Sequence, residues 1–396
     1  MNPARAPRER RSDARLLALD ADAGRHADLG AADLPSLLRP RDLLVVNDAA
    51  TLPASLHGRT AGGAEVELRL LGAAALPGGT GDGAVAAGAD AEDFWAVLFG
   101  AGDWRTPTEH RPPPPPLERG DVIQLEGREG RGETEPAELL ATVEERAAVS
   151  PRLVRVRFSR RGAALWSALY RLGRPVQYAY LREPLALWSV QTAYAARPWA
   201  AEMPSAGRPL SWEILFALRR RGIELCALTH AAGLSSTGEP ALDRALPLPE
   251  RYDLPAATVQ AVAAARARGG RVIAVGTTVV RALEGAARAL ERSGAAPGTL
   301  RPGSGVTELL LTPATELRVC DGILTGIHGP GESHFRLLAA FCPTEALAAA
   351  WEHAGRAGYL CHEFGDLSLI ARGLVEQRPD AGWHGGAPAS GPALAA

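Results

Sequence analysis

The segment Gly270-Arg271-Val272-Ile273-Ala274-Val275-Gly276-Thr277-Thr278-Val279-Val280-Arg281-Ala282-Leu283-Glu284 carries the strongest chemical signal in the chain. An apolar run stops at Gly276, a residue that accepts a positive φ, and two threonines then stand where a helix begins. Backbone N–H groups at a helix start are unpaired and attract a carboxylate or phosphate. Gly276, Thr277 and Thr278 are therefore candidates for holding an anionic ligand. Arg281 and Glu284 are spaced to pair along the helix. The same pattern also fits a plain β–α turn capped by threonine.

Other groups with useful chemistry stand at the ends of apolar runs. Asp48 follows Asn47 after Leu43-Leu44-Val45-Val46. A carboxylate there serves as an acid–base group, or it binds the N–H groups of a turn. His230 ends a second run and reads either as a base or as a satisfied core histidine. His328 precedes Gly329-Pro330-Gly331, with Glu332 and His334 beyond. That spacing fits no standard zinc motif, and no metal is expected. Arg219-Arg220-Arg221 and the set Arg155, Arg157, Arg160 and Arg161 suit phosphate contacts or simply solvated faces.

These residues need a scaffold, and 396 residues suffice for two domains or three. With 46% hydrophobic and 22% charged residues, the chain is not wholly disordered. No apolar run is long enough to cross a bilayer, so no membrane role is expected. The polar, arginine-rich N-terminus lacks the apolar core of a secretory signal, which reads as cytoplasmic. Cys226, Cys320, Cys342 and Cys361 form no C-x-x-C pair, so neither a zinc ribbon nor a disulfide framework is indicated. A net charge of −2 is a poor global footprint for nucleic-acid binding but leaves room for a local basic patch. No lysine occurs, so every fixed positive charge is a guanidinium, suited to bidentate contacts.

The texture of the chain changes twice. Between His57 and Ser159 short alternating runs recur, such as Glu65 to Leu71 and Leu153 to Phe158, punctuated by Gly and Pro. Before and after them the pattern is strand–helix, with helix faces at Leu210, Ile214, Leu215 and Leu218 and at Val259, Val262, Ala263 and Ala267. The expectation is an α/β fold: a barrel-like α/β main domain with a largely parallel sheet, carrying an inserted small β-barrel domain. The main domain comprises 16–56 and 160–370, and the insert 57–159. Residues 1–15 and 371–396 read as loose tails. Sites in such sheets gather at the carboxyl ends of strands.

Read as a whole string, the Gly270 to Glu284 segment resembles that of the S-adenosylmethionine:tRNA ribosyltransferase-isomerase family of queuosine biosynthesis. Further segments agree in order. Arg41 to Asp48 followed by Leu52-Pro53-Ala54 is similar to the family's first strand and turn. Tyr194-Ala195 and Pro204-Ser205-Ala206-Gly207 resemble its P-T-A-G segment. Leu324 to His328 matches I-T-N-F-H in part, and Tyr359 with Phe364-Gly365-Asp366 resembles its Y-G-D signature. The resemblance spans roughly Arg15 to Ile370 and implies an α/β domain carrying a small β-barrel.

The resemblance also implies a reaction. The ribosyl part of S-adenosylmethionine is moved onto 7-aminomethyl-7-deazaguanine in tRNA and isomerised, and adenine and methionine leave. The co-substrate is then S-adenosylmethionine and the partner is tRNA, with no metal required. The implied catalytic residues are Asp48, Glu250, His230 and His328. The implied ligand-binding residues are Asn47, Gly276, Thr277, Thr278, Arg281 and Asp366. Departures from the family pattern fall at Ala49, Ala50 and Ser55, at Arg208-Pro209-Leu210, and at Leu248-Pro249-Glu250-Arg251-Tyr252, which lacks the family's histidine. His230 lies one residue out of step with the family's L-H-V-G segment. The departures also suit a paralogue using a small-molecule acceptor, or a non-catalytic binding protein on the same fold.

Overall fold

Leu43 to Val46 are apolar without alternation because both sides of their strand are covered. Leu43 and Val45 pack into one buried layer, and Leu44 and Val46 into the opposite one. The computed structural model describes residues 1–71, 93–127, 139–329 and 333–385. Along the chain, β1 (Arg15–Asp20), β2 (Arg25–Gly30) and β3 (Leu43–Asn47) come first. Six strands follow: β4 (Ser55–Thr60), β5 (Glu65–Leu70), β6 (Asp93–Phe99), β7 (Val122–Leu125), β8 (Leu139–Arg146) and β9 (Leu153–Phe158). The α/β part then resumes with α1 (Gly162–Leu172), α2 (Trp212–Arg220), β10 (Glu224–His230) and β11 (Glu250–Leu254). It continues with α3 (Ala256–Ala267), β12 (Val272–Val275), α4 (Thr277–Arg292), β13 (Gly303–Thr307) and β14 (Gly322–Gly326). Toward the C-terminal end come α5 (Thr344–Arg356), β15 (Leu367–Ala371) and β16 (His384–Gly385).

Strands β4 to β9 close into an antiparallel barrel in the order β8-β9-β6-β5-β4-β7. The larger sheet is a ten-strand row, β13-β11-β10-β3-β12-β14-β15-β1-β2-β16. Residues of α3, α4 and α5 fill the layer on one face, through Val262, Val279, Leu283 and Leu347. Ile214 and Leu218 of α2 pack on the other. The protein is thus a mixed α/β fold with a closed six-strand barrel. Among the described residues no helix is long and apolar enough to cross a membrane.

Three expectations need correction. The α/β sheet is less parallel than its strand–helix texture suggests. β10, β3, β12 and β14 run parallel, but β11, β13, β15 and β2 each meet a neighbour antiparallel. The ten strands form one long row with β13 and β16 at its ends. Residues 1–15 are tied down: Asn2–Pro3 pairs with Leu360–Cys361, and Arg8 bridges to the buried Asp366 at 2.5 Å. Residues after 371 also carry structure, because Leu374 and Trp383 are apolar anchors and His384–Gly385 pairs with β2. Residues 386–396 lie outside the described residues.

Candidate active site

Parallel strands β10, β3, β12 and β14 all end at one edge of the sheet, and the antiparallel β11 and β15 begin there. Asn47, Asp48, His230, Glu250, Gly276, Thr277, Thr278, His328 and Asp366 lie on or beside this edge, and Arg281 reaches Glu250 from α4. Asn47 fastens three elements. Its Oδ1 accepts the N–H groups of His230 (2.9 Å) and Ala49 (3.1 Å). Its Nδ2 donates to the His230 carbonyl (3.0 Å) and more weakly to Thr278 Oγ1 (3.4 Å). An amide is the group for this place, since it donates and accepts at once.

Asp48 is half-buried and accepts a 2.6 Å hydrogen bond from the Thr229 hydroxyl. Burial raises its carboxyl above the ordinary value, against the opposing pull of Thr229 and Arg197. Tyr194 approaches from the segment before α2; burial, then the Asp48 charge, push its hydroxyl up.

Behind this front lies a buried charged group. Arg281 donates to Glu250 Oε2, and Gly233 N–H donates to Glu250 Oε1 at 2.8 Å. His230 Nε2 stands 3.5 Å from the same Oε2, too far for a good hydrogen bond. Among the described residues neither His230 ring nitrogen has a hydrogen-bond partner, and burial, then the Arg281 charge, hold its pKa well below the usual value. His230 is therefore neutral at pH 7. Burial lowers the Arg281 guanidinium to about 10. The expected Arg281–Glu284 pair does not form. Glu284 instead accepts the N–H groups of Arg318, Val319 and Cys320 at 2.9–3.0 Å. The helix turns Arg281 toward β11 and Glu284 toward the loop before β14, where three backbone donors outbid one guanidinium.

Gly276 precedes α4 with φ +94° and ψ 153°, and its N–H donates to the Leu324 carbonyl (2.8 Å). Among the described residues no side chain caps the start of the helix, and Thr277 and Thr278 are half-exposed. The first N–H groups of α4 thus remain without intrahelical partners. We expect Gly276→Ala to lower stability by about 1–3 kcal/mol, the cost of a rarely populated backbone region. A Cβ there meets only Thr278 Oγ1 at 3.5 Å and Ala206 Cβ at 3.6 Å, so the penalty is torsional. An unchanged urea midpoint would refute this.

His328 lies one strand further along. Its Nε2 is 3.2 Å from Thr325 Oγ1, its carbonyl accepts from the Trp351 indole, and its ring stacks on His334 at 4.6 Å. Positions 330–332 lie outside the described residues, so the Glu332 considered with it cannot be placed. Asp366 sits at the same edge but is a clamp. Arg8 and Arg15 N–H occupy Oδ1, and Leu360 N–H occupies Oδ2. Among the described residues no group of three or more His, Cys, Asp or Glu is placed to hold a metal.

Two carboxylates escaped the sequence reading. Glu202 accepts from the hydroxyls of Tyr178 and Ser235, and Glu363 from Tyr180. Burial raises both carboxyl groups. They line one recess with Thr51, Met203 and Phe364. The available signal was their position: Glu202 stands just before Pro204-Ser205-Ala206-Gly207, and Glu363 just before Phe364-Gly365-Asp366.

A mixed α/β sheet that carries a closed barrel and gathers its polar groups at one edge defines the class of protein. The chain belongs to the queuosine biosynthesis protein family, whose description matches residues 2–370. The S-adenosylmethionine:tRNA ribosyltransferase-isomerase of Acidithiobacillus ferrooxidans is 37% identical over 379 residues, covering 93% of this chain and 94% of that protein. The protein of the same name from Anaeromyxobacter dehalogenans is 34% identical over 378 residues, covering 93% and 95%. The solved S-adenosylmethionine tRNA ribosyltransferase of Thermotoga maritima shows 21% identity, coverage of 93% and 96%, and a TM-score of 0.46.

Proposed function

We propose that this chain is an S-adenosylmethionine-dependent ribosyltransferase-isomerase that acts on tRNA, in the cytoplasm. The observation that carries the reading is the convergence of Asn47, Asp48, His230, Glu250 and the start of α4 at one sheet edge. The relatives' names and the extent of their identity support it. S-adenosylmethionine would supply the ribosyl group, and its sulfonium acidifies the neighbouring CH₂. The uncapped N–H groups after Gly276, with the hydroxyls of Thr277 and Thr278, suit its methionine carboxylate. Asp48 is the group to take a proton at that edge. It is half-exposed, and its raised pKa brings it nearer to that of a working base. Glu250, Arg281 and His230 form the wall behind it and position it through β10, since the Thr229 that binds Asp48 precedes His230. His328 lines the far end beside Gly326, and Asp366 holds the N-terminal segment against that end. The acceptor is 7-aminomethyl-7-deazaguanine in tRNA.

A second reading, a small-molecule acceptor, is favoured by Ala49 and Ala50. They occupy a short strand paired with 197–200 at the site's edge and offer no guanidinium there. The test is adenine release from S-adenosylmethionine by the purified protein, with and without tRNA carrying the aminomethyl base. Release that requires this tRNA is the expected result. Binding of S-adenosylmethionine with no release on that tRNA would overturn the tRNA reading; no binding by the folded protein would overturn both.

A further inference from the structure

Arg208 is an anomaly. It is only 5% exposed, yet among the described residues no carboxylate pairs with it. Its Nε donates to the Ser189 carbonyl at 2.9 Å, and its guanidinium lies 4.8 Å above the Phe364 ring. Two more arginines face it. Burial lowers its pKa to about 10, and the charges of Arg11 and then Arg8 push in the same direction. Of the three, Arg8 is bridged to Asp366, whose oxygens are also bound to the N–H groups of Arg15 and Leu360, while Arg208 and Arg11 donate to backbone carbonyls. A buried cation facing like charges is costly unless an anion completes the site. The arrangement presents planar donors suited to a tetrahedral oxyanion.

Its place in the fold narrows the ligand. Arg208 follows the turn Ser205–Gly207, and Ala206 Cβ lies 3.6 Å from where a Gly276 Cβ would stand. The turn that leads into Arg208 thus packs against the α4 start, which places the cluster beside the site. Arg11 Nη2 donates to the Trp188 backbone carbonyl at 3.3 Å, which places residue 188 beside the cluster, and Trp188 is 75% exposed. Phosphate donors next to an exposed aromatic plane are the equipment for an unstacked nucleotide. A carboxylate ligand would use the guanidiniums and leave the indole without a role.

We propose that Arg208, Arg11 and Arg8 bind a backbone phosphate of the RNA strand beside the target base, and that Trp188 stacks on a neighbouring base. This rests on the tRNA reading above and adds the place and chemistry of the contact. The test measures binding of the precursor tRNA by anisotropy across a salt series, alongside calorimetry with S-adenosylmethionine. Arg208→Gln is expected to weaken tRNA binding about ten-fold and to reduce the salt slope by about 0.7, one single-strand phosphate. Arg11→Gln, at a half-exposed position, should act in the same direction and keeps the test valid if Arg208→Gln fails to fold. Trp188→Ala should weaken binding about five-fold or more with the slope unchanged, because stacking releases no counterions. S-adenosylmethionine affinity should stay at the wild-type value in the folded variants. Wild-type binding of tRNA with unchanged affinity and slope in both arginine variants would overturn the subsite alone. Wild-type binding of S-adenosylmethionine but not tRNA would overturn the tRNA reading and the subsite with it.

Discussion

Glu250→Ala is expected to destabilise the protein by about 3–5 kcal/mol, because it strands a buried charge. Glu250 and Arg281 are 6% and 5% exposed and meet in the interior. Without the carboxylate, Arg281 keeps only its Nε bond to the Leu309 carbonyl (3.1 Å) and a long contact to the Thr307 carbonyl (3.5 Å). Gly233 N–H also loses its acceptor. Glu250→Gln keeps one acceptor oxygen, enough for Gly233 N–H or Arg281 but not both, and should cost less than Glu250→Ala. The double variant Glu250→Leu with Arg281→Met should recover most of the loss, since well-packed apolar groups often replace a buried ion pair without penalty. Urea unfolding of the three variants checks this. A loss below about 1 kcal/mol for Glu250→Ala would place the pair with weak surface bridges and refute its buried role.

Asp48→Asn is expected to lower turnover by about 10²–10⁴-fold while leaving S-adenosylmethionine affinity near wild type, the signature of a lost general base. The substitution keeps an oxygen for the Thr229 hydroxyl, so the local geometry survives. The pH dependence gives an independent readout. A base works when deprotonated, so kcat/KM should fall as pH drops through its pKa. Burial raises that pKa, and the acid limb should therefore lie above the ordinary carboxylate position near pH 4. The variant should lose this limb. Adenine release at saturating substrate measures the turnover, and release at substrate well below KM across a pH series measures the limb; turnover within two-fold of wild type would remove Asp48 from the mechanism.

The contrast between Asp48 and its neighbours shows how far sequence reading reached. Asp48, His230 and Gly276 were identifiable because each terminates an apolar run, and strand ends in such sheets meet at one edge. Period-two runs between 57 and 159 marked an all-β insert, and the barrel strands span 55 to 158. The partner of Arg281 was not legible. Helical spacing offered Glu284 three residues on, whereas the bond goes to Glu250, thirty-one positions back. Asp366 was legible as part of a motif but not as a clamp, because its donors come from Arg8, Arg15 and Leu360.

By itself the sequence determined what local physics governs: which runs form strands and helices, where a glycine ends a strand, and which segments alternate. It also carried the family resemblance, since that lies in ordered short motifs. Only the tertiary structure decided which charges are buried and with whom. Glu67 and Arg69 lie in an alternating run, yet both are 1% exposed. Glu67 accepts from Ser55, Arg69 and Arg111, with its pKa pulled down to about 2 against the cost of burial. Arg208 reads as one arginine among many until the fold sets it against Phe364, Arg8 and Arg11. The physical reason is range. Backbone preference and periodicity act over a few residues, whereas burial and charge pairing depend on groups that meet only when distant strands and loops close on one another.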